Sequence, residues 1–191
     1  MTNLTEYIQT FNNILPEAVH SKFLKSLDFF KYETATVVGD SNEEVCNTSV
    51  RDVKEHSLST KSSATSNHWY NLLNSSFEQC LKIYHSKYKM PMPDSIDIQN
   101  ISILKYELNG KYEPHVDDGP FTPRTLSCIY FLNDNYSGGE LNFLNHMNSE
   151  VYLTIKPKKN SLVIWPSNFL YPHGVKPVTQ GTRYTVVAWI R

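Results

Sequence analysis

The chain has 191 residues, enough for one domain with its own core, and a formal net charge of −1. The absence of any long Lys or Arg run argues against a nucleic-acid binder, and no apolar stretch approaches the ~18 residues of a membrane span. The opening "MTNLTEYIQTFNNILPEA" has no basic start or apolar h-region, and Cys46, Cys80 and Cys128 form no CxxC pair, so a soluble cytoplasmic protein with reduced thiols is expected.

Along the chain, "LPEAVHSKFLKSLDFF" (15–30) places Pro16 in a first helical turn and apolar residues at 19, 23, 24 and 27, which predicts a helix. Residues 33–66 are rich in Ser, Thr, Glu and Asn, with strand character only at 34–38 and 45–50. A polar segment of that length is either disordered or a lid. "NHWYNLLNSSFEQCLKIYHSKY" (67–88) sets Trp69, Leu72, Leu73, Phe77, Cys80, Leu81 and Tyr84 on a helical period that stops before Pro91 and Pro93. From 101 onward the pattern changes to short apolar or alternating runs at 101–108, 125–133, 139–145, 151–156, 161–166 and 183–190. Asn109-Gly110, Asp118-Gly119-Pro120, Ser137-Gly138-Gly139, Lys159-Asn160 and Gln180-Gly181 separate them. Many short, evenly spaced strands predict a mostly β fold, a double-stranded β-helix or jelly roll, supported by N-terminal α-helices. The expected organisation is a single domain over 1–191, with helices and a lid segment in 1–100 and the jelly-roll core in 101–191.

"YEPHVDDG" (112–119) concentrates the chemistry. As a polar loop it needs no function. As a strand it turns His115 and Asp117 to one face, where an imidazole nitrogen and a carboxylate oxygen can meet at one point. Asp118 then faces away and starts the turn with Gly119. His173, in "YPHGVKPV", is the best candidate for a third ligand, 58 residues further on. Two histidines and one carboxylate suit a non-haem Fe(II) site with open positions, although zinc accepts the same ligands. His20, His68 and His85 lie in helical text and are expected at the surface or in caps. His56, in the polar insert, and His146, after a strand, are weaker candidates for touching substrate. Glu140 reads as a strand-edge or turn residue. Arg183 opens the last strand, and a buried arginine beside a metal needs an anion, for which its planar fork suits a carboxylate.

"YELNGKYEPHVDD", "TLSCIYFLN", "GGELNF", "IKPKKNSLVIWP" and "HGVKPVTQGTRYTVVAWIR", in that order, resemble the catalytic core of the Fe(II)/2-oxoglutarate-dependent dioxygenases, most closely the prolyl 4-hydroxylase branch. The resemblance implies Fe(II) bound by His115, Asp117 and His173, and Arg183 paired with the distal carboxylate of 2-oxoglutarate. It implies hydrogen bonds from Tyr106 and Tyr130 to the cosubstrate, against a plain core-packing role for each, and an aromatic wall at Trp189. Asn160 stands where the family's turn usually has glycine, and Trp165 where phenylalanine is usual. The implied reaction couples oxidative decarboxylation of 2-oxoglutarate, with O2 and with ascorbate as a further cofactor, to hydroxylation of an unactivated C–H bond. Succinate and CO2 are released. A peptidyl proline is the first expected substrate; a free amino acid, another small molecule or an alkylated base are alternatives. The segments 33–66 and 134–149 are expected to close over the mouth. A non-catalytic jelly-roll module with a structural metal is the reading of a different class.

Overall fold

The structure, a computed structural model, describes residues 3–38, 43–90, 96–120, 122–147 and 149–191. Strand β1 (Gln9–Asn12) precedes helix α1 (Glu17–Ser26), which starts just after Pro16 and tightens into a 3-10 turn at Leu27–Phe29. The polar insert holds short strands, β2 (Glu33–Thr34), β3 (Val37–Val38), β4 (Glu44–Val45), β5 (Arg51–Asp52) and β6 (Lys54–Ser57). Helix α2 (Ala64–Lys87) begins at Ser63, whose hydroxyl accepts the Ser66 backbone N–H at 3.1 Å and satisfies one free donor of the first turn. Pro91 and Pro93, expected to stop this helix, lie outside the described residues. The second half is β throughout: β7 (Ile98–Tyr106), β8 (Lys111–His115), β9 (Leu126–Phe131), β10 (Ser137–Gly138), β11 (Leu141–Leu144), β12 (Val151–Ile155), β13 (Ser161–Pro166), β14 (His173–Val175), β15 (Val178–Gln180) and β16 (Arg183–Ile190).

Two antiparallel sheets face each other. The larger runs β1-β13-β9-β16-β7-β6-β2 and the smaller β12-β11-β14-β8-β5. Its central strands, β9, β13 and β16, are apolar on both sides because each side meets a core. On the outer side, Ile101, Ile103, Cys128, Tyr130, Leu162, Ile164, Val186 and Ala188 pack against Phe23, Trp69, Leu73, Phe77 and Leu81 of the helices. On the inner side, Leu104, Tyr106, Ile129, Phe131, Val163, Trp165 and Val187 meet Leu141, Phe143 and Val175 of the smaller sheet. The period-2 alternation therefore sorts every residue of these strands towards either the helices or the jelly-roll interior.

The first hundred residues do more than support. β1 pairs with β13, β6 with β7 and β5 with β8. The sequences of β1 and β6, QTFN and KEHS, show no apolar alternation because they lie near a sheet edge, bound mainly by backbone pairing. His20 and His85 are buried, not at the surface. His20 lies on the same stripe of α1 as Phe23, and its Nδ1 is hydrogen bonded to the Tyr130 hydroxyl at 2.8 Å. His68 is exposed, as expected. Asn160 has φ +60, so asparagine takes the left-handed turn position where glycine would be usual. Among the described residues no helix is long and apolar enough to cross a membrane.

Candidate metal centre and its cavity

His115 closes β8 and His173 opens β14, and the two are register partners in the smaller sheet. Cross-strand pairing, not sequence proximity, brings their rings to 4.4 Å centroid to centroid. Asp117 falls two residues past the end of β8, so strand alternation does not aim it. Its carboxylate is held from behind: the Ser127 hydroxyl donates to Oδ2 at 2.6 Å and lies 2.7 Å from Ser167 Oγ. Asp117 Oδ1 is 3.5 Å from His115 Nε2 and Oδ2 is 3.3 Å from His173 Nε2. The three potential ligand atoms all lie within 4.8 Å of one another. Asp118 is exposed and points away, its carboxylate accepting the Arg124 backbone N–H at 3.0 Å.

The donor set fits a cation. His115 Nδ1 faces the Glu113 carbonyl at 2.9 Å and His173 Nδ1 the Tyr171 carbonyl at 3.1 Å. A carbonyl only accepts, so each Nδ1 carries a proton and leaves Nε2, the atom turned towards Asp117, as the ring's ligand atom. Burial lowers the His173 pKa to about 4 despite the nearby carboxylate. Burial also pushes Asp117 upward, but His173, His115 and the Ser127 hydroxyl outweigh it and keep the carboxylate ionised well below its usual range. In that tautomer the two Nε2 lone pairs and the Asp117 carboxylate converge, a donor set that a divalent cation satisfies.

These residues stand on the wall of a cavity of about 730 Å³ between the sheets, which also takes in Tyr106, Tyr112, Arg124, Trp165 and Trp189. The insert contributes Thr36, Arg51, Glu55 and His56 to its lining. The segment 134–149 behaves differently. None of its described residues lines this cavity; Tyr136, Ser137, Gly138, Glu140 and Asn142 border a separate cleft with Lys156 and Lys176. His146 packs its ring against Phe169, at a centroid distance of 5.8 Å.

Arg183 is completely buried at the inner end of β16, its guanidinium 4.5 Å from the Tyr106 ring centroid and 5.4 Å from that of Phe131. Nη1 donates to Thr185 Oγ1 at 3.3 Å, while Nε and Nη2 have no partner. Tyr106 lies opposite Arg183 in register and faces the cavity. Tyr130 does not. Alternation in β9 turns it to the helix side, where its hydroxyl donates to Asn160 Oδ1 at 2.9 Å and meets His20. It is the inward neighbour, Phe131, that faces Arg183, so the cosubstrate role expected of Tyr130 is corrected to core packing. Trp189 lines the cavity with the Arg124 guanidinium carbon 3.9 Å over its ring.

Three residues around the metal ligands were not singled out from sequence. Tyr112 stacks on His115 at 3.7 Å and 20°, although the two are three positions apart in the strand, because the β8–β14 register shifts between His173 and Val175. Arg124 follows a loop with no periodic signal. Ser127 could have been found, since it alternates with Ile129 towards the interior of an otherwise apolar strand, and a buried hydroxyl needs a partner.

Residues 101–191 match the profile of the 2OG-Fe(II) oxygenase superfamily. Prolyl 3-hydroxylase 2 of Rattus norvegicus is 38% identical over 69 residues, covering 36% of this chain and 10% of the relative. A PKHD-type hydroxylase of Rippkaea orientalis is 35% identical over 100 residues, covering 49% of this chain and 43% of the relative. The chain thus spans less than half the length of these curated relatives. Among solved structures, a Trichoplax adhaerens prolyl hydroxylase in complex with a hypoxia inducible factor peptide fragment superposes with a TM-score of 0.77 at 20% identity, covering 97% of this chain and 84% of that one. A Pseudomonas putida prolyl-4-hydroxylase gives 0.68 at 16% identity, covering 97% and 92%. At these identities the structural likeness establishes the jelly-roll fold.

Proposed function

We propose, from the match of residues 101–191 to the profile of the 2OG-Fe(II) oxygenase superfamily, that the chain is an Fe(II)- and 2-oxoglutarate-dependent dioxygenase that hydroxylates an unactivated C–H bond. His115, Asp117 and His173 would hold the iron, and Arg183 would bind the distal carboxylate of 2-oxoglutarate. One observation carries the reading: three ligand atoms within 4.8 Å of one another stand on the wall of a cavity that Tyr106 also lines, and behind Tyr106 packs Arg183, a buried cation with two nitrogens that have no hydrogen-bond partner. When bound, the iron supplies oxygen activation coupled to decarboxylation of the 2-oxo acid, giving succinate and CO2.

The protein's own part is orientation and exclusion of water. Ser127 and Ser167 fix the Asp117 carboxylate, the Glu113 and Tyr171 carbonyls fix the imidazole tautomers, and Tyr112 holds the His115 ring from the other side. Trp165 packs edge-on to His173, at a centroid distance of 4.9 Å, and helps keep the centre dry. The cavity lining, with Arg51, Glu55, His56 and Arg124 over Trp189, offers polar groups for an extended backbone. A peptidyl prolyl residue is the substrate in this reading. Its support is the open cavity and the peptide held by a structural neighbour. Ascorbate as a further cofactor and a cytoplasmic setting belong to the same proposal, the latter supported by the three free thiols.

The test is to incubate the protein with Fe(II), 2-oxoglutarate and O2 and to measure succinate, followed by a mass-spectrometric screen of proline-containing peptides for one added oxygen. Iron-dependent succinate, increased by a hydroxylated peptide, is the expected result. Absence of both succinate and metal-dependent 2-oxoglutarate binding would leave only the non-catalytic module.

A further inference from the structure

The two histidines of the candidate metal centre are held differently. His173 is buried and packs against Trp165 and Phe143, at ring centroid distances of 4.9 Å and 5.9 Å, so the core fixes its plane. His115 is the last residue of β8, and its side chain is 20% exposed. Its Nδ1 meets the Glu113 carbonyl of its own strand, and its ring lies tilted against His173. What lies flat on it is Tyr112, stacked at 3.7 Å and 20°. The direction in which His115 aims Nε2 is therefore only as fixed as the Tyr112 ring.

Tyr112 is in turn held from the polar insert. Arg51 is its register partner on β5, and the guanidinium carbon lies 5.1 Å over the tyrosine ring. Arg51 is only 9% exposed, a costly position for a cation unless its N–H groups are used. Nη1 donates to the Thr36 carbonyl at 2.8 Å and Nη2 to Glu55 Oε2 at 3.1 Å. The planar fork is thus tied to the backbone just before β3 and to a side chain of β6, and it cannot swing off the ring without breaking both contacts. We propose that Arg51 is a positioning residue for the metal centre: the insert, through Arg51 and then Tyr112, sets the plane of His115. This rests on the metal-centre reading above and gives the insert a part in holding the ion, besides its share of the cavity lining. A lysine at 51 keeps the charge, but its single ammonium cannot serve Thr36, Glu55 and the ring together.

The experiment titrates metal-free protein with Co(II), whose visible absorption reports the geometry of its ligands, in wild type, Arg51→Met, Arg51→Lys, Tyr112→Phe, Tyr112→Leu and the double variant Arg51→Met/Tyr112→Leu. Both Arg51 variants should weaken Co(II) by about tenfold, the scale for groups that orient a metal ligand, and alter the spectrum of the saturated protein. Arg51→Lys decides the matter if Arg51→Met does not fold. Tyr112→Phe keeps the stacked ring and should match wild type. Tyr112→Leu should lose at least as much as Arg51→Met, and the double variant no more than Tyr112→Leu alone, because both changes act through one contact. Wild-type affinity and spectrum in the Arg51 variants, or additive losses in the double variant, overturn the role of Arg51. A wild type that binds no Co(II) would instead overturn the metal centre itself.

Discussion

Asp117 and Asp118 are adjacent carboxylates with opposite fates. The first is buried between two imidazoles and a serine hydroxyl, whereas the second is exposed and caps a turn through the Arg124 backbone N–H. Asp117→Ala is expected to lower turnover by about 100-fold or more, the scale on which metal-site groups act, and Asp118→Ala to change it less than about threefold. Succinate formation at saturating Fe(II) checks the order, and a reversed order would move the metal site by one residue. His20 offers a second test at this scale. Burial lowers its pKa from 6.5, so the folded protein keeps it neutral while the unfolded chain takes up a proton below 6.5. That contribution to stability is present above pH 6.5 and is lost as the pH falls below it. In the metal-free protein His173, lowered from 6.5 to about 4, acts with the same sign. Urea midpoints between pH 7.5 and 5 should therefore fall, and fall less steeply in His20→Phe than in wild type; parallel curves would remove His20 from the account.

Strands β8 and β14 set the spacing of His115 and His173, and Gly174 governs how closely they approach. A Cβ at 174 would lie 3.0 Å from the Tyr112 carbonyl oxygen and 3.1 Å from Pro114 N, both backbone atoms that cannot step aside alone. Gly174→Ala should part the strands by a few tenths of an ångström and weaken Fe(II) binding by about tenfold, the lower end for changes that disturb ligand orientation. Unaltered binding in that variant would show that the pair tolerates separation. Much of this element-level arrangement was legible. The alternating runs from 101 onward mark β7, β9, β11, β12, β13 and β16, and the pairing of His115 with His173 follows from a jelly roll. The aim of Asp117 was not legible, because β8 stops at His115 and the carboxylate depends on Ser127 and Ser167 from other elements. Nor was β6, whose charged residues carry no alternation and whose place is fixed by backbone pairing to β7.

At the scale of the molecule, one sheet separates two cores with different tasks. The helices cover one side and the candidate metal centre stands on the other, so Tyr130 and Phe131, neighbours in sequence, belong to different compartments. Counting strand parity from Ile129 and Val163 assigns them correctly. The division has a measurable consequence. Leu73→Ala, in the centre of α2 and fully buried, should cost about 2–5 kcal/mol of stability through its cavity, while turnover per folded molecule stays near wild type; a loss of turnover without unfolding would mean that the two sides are coupled. The central claim is that one iron is held jointly by His115, Asp117 and His173. Anaerobic calorimetric titration with Fe(II) of wild type and the three single alanine variants tests it most directly. Wild type should bind one ion per chain, and each variant should lose that binding or weaken it by about 100-fold or more; wild-type affinity in any one of the three would contradict the account.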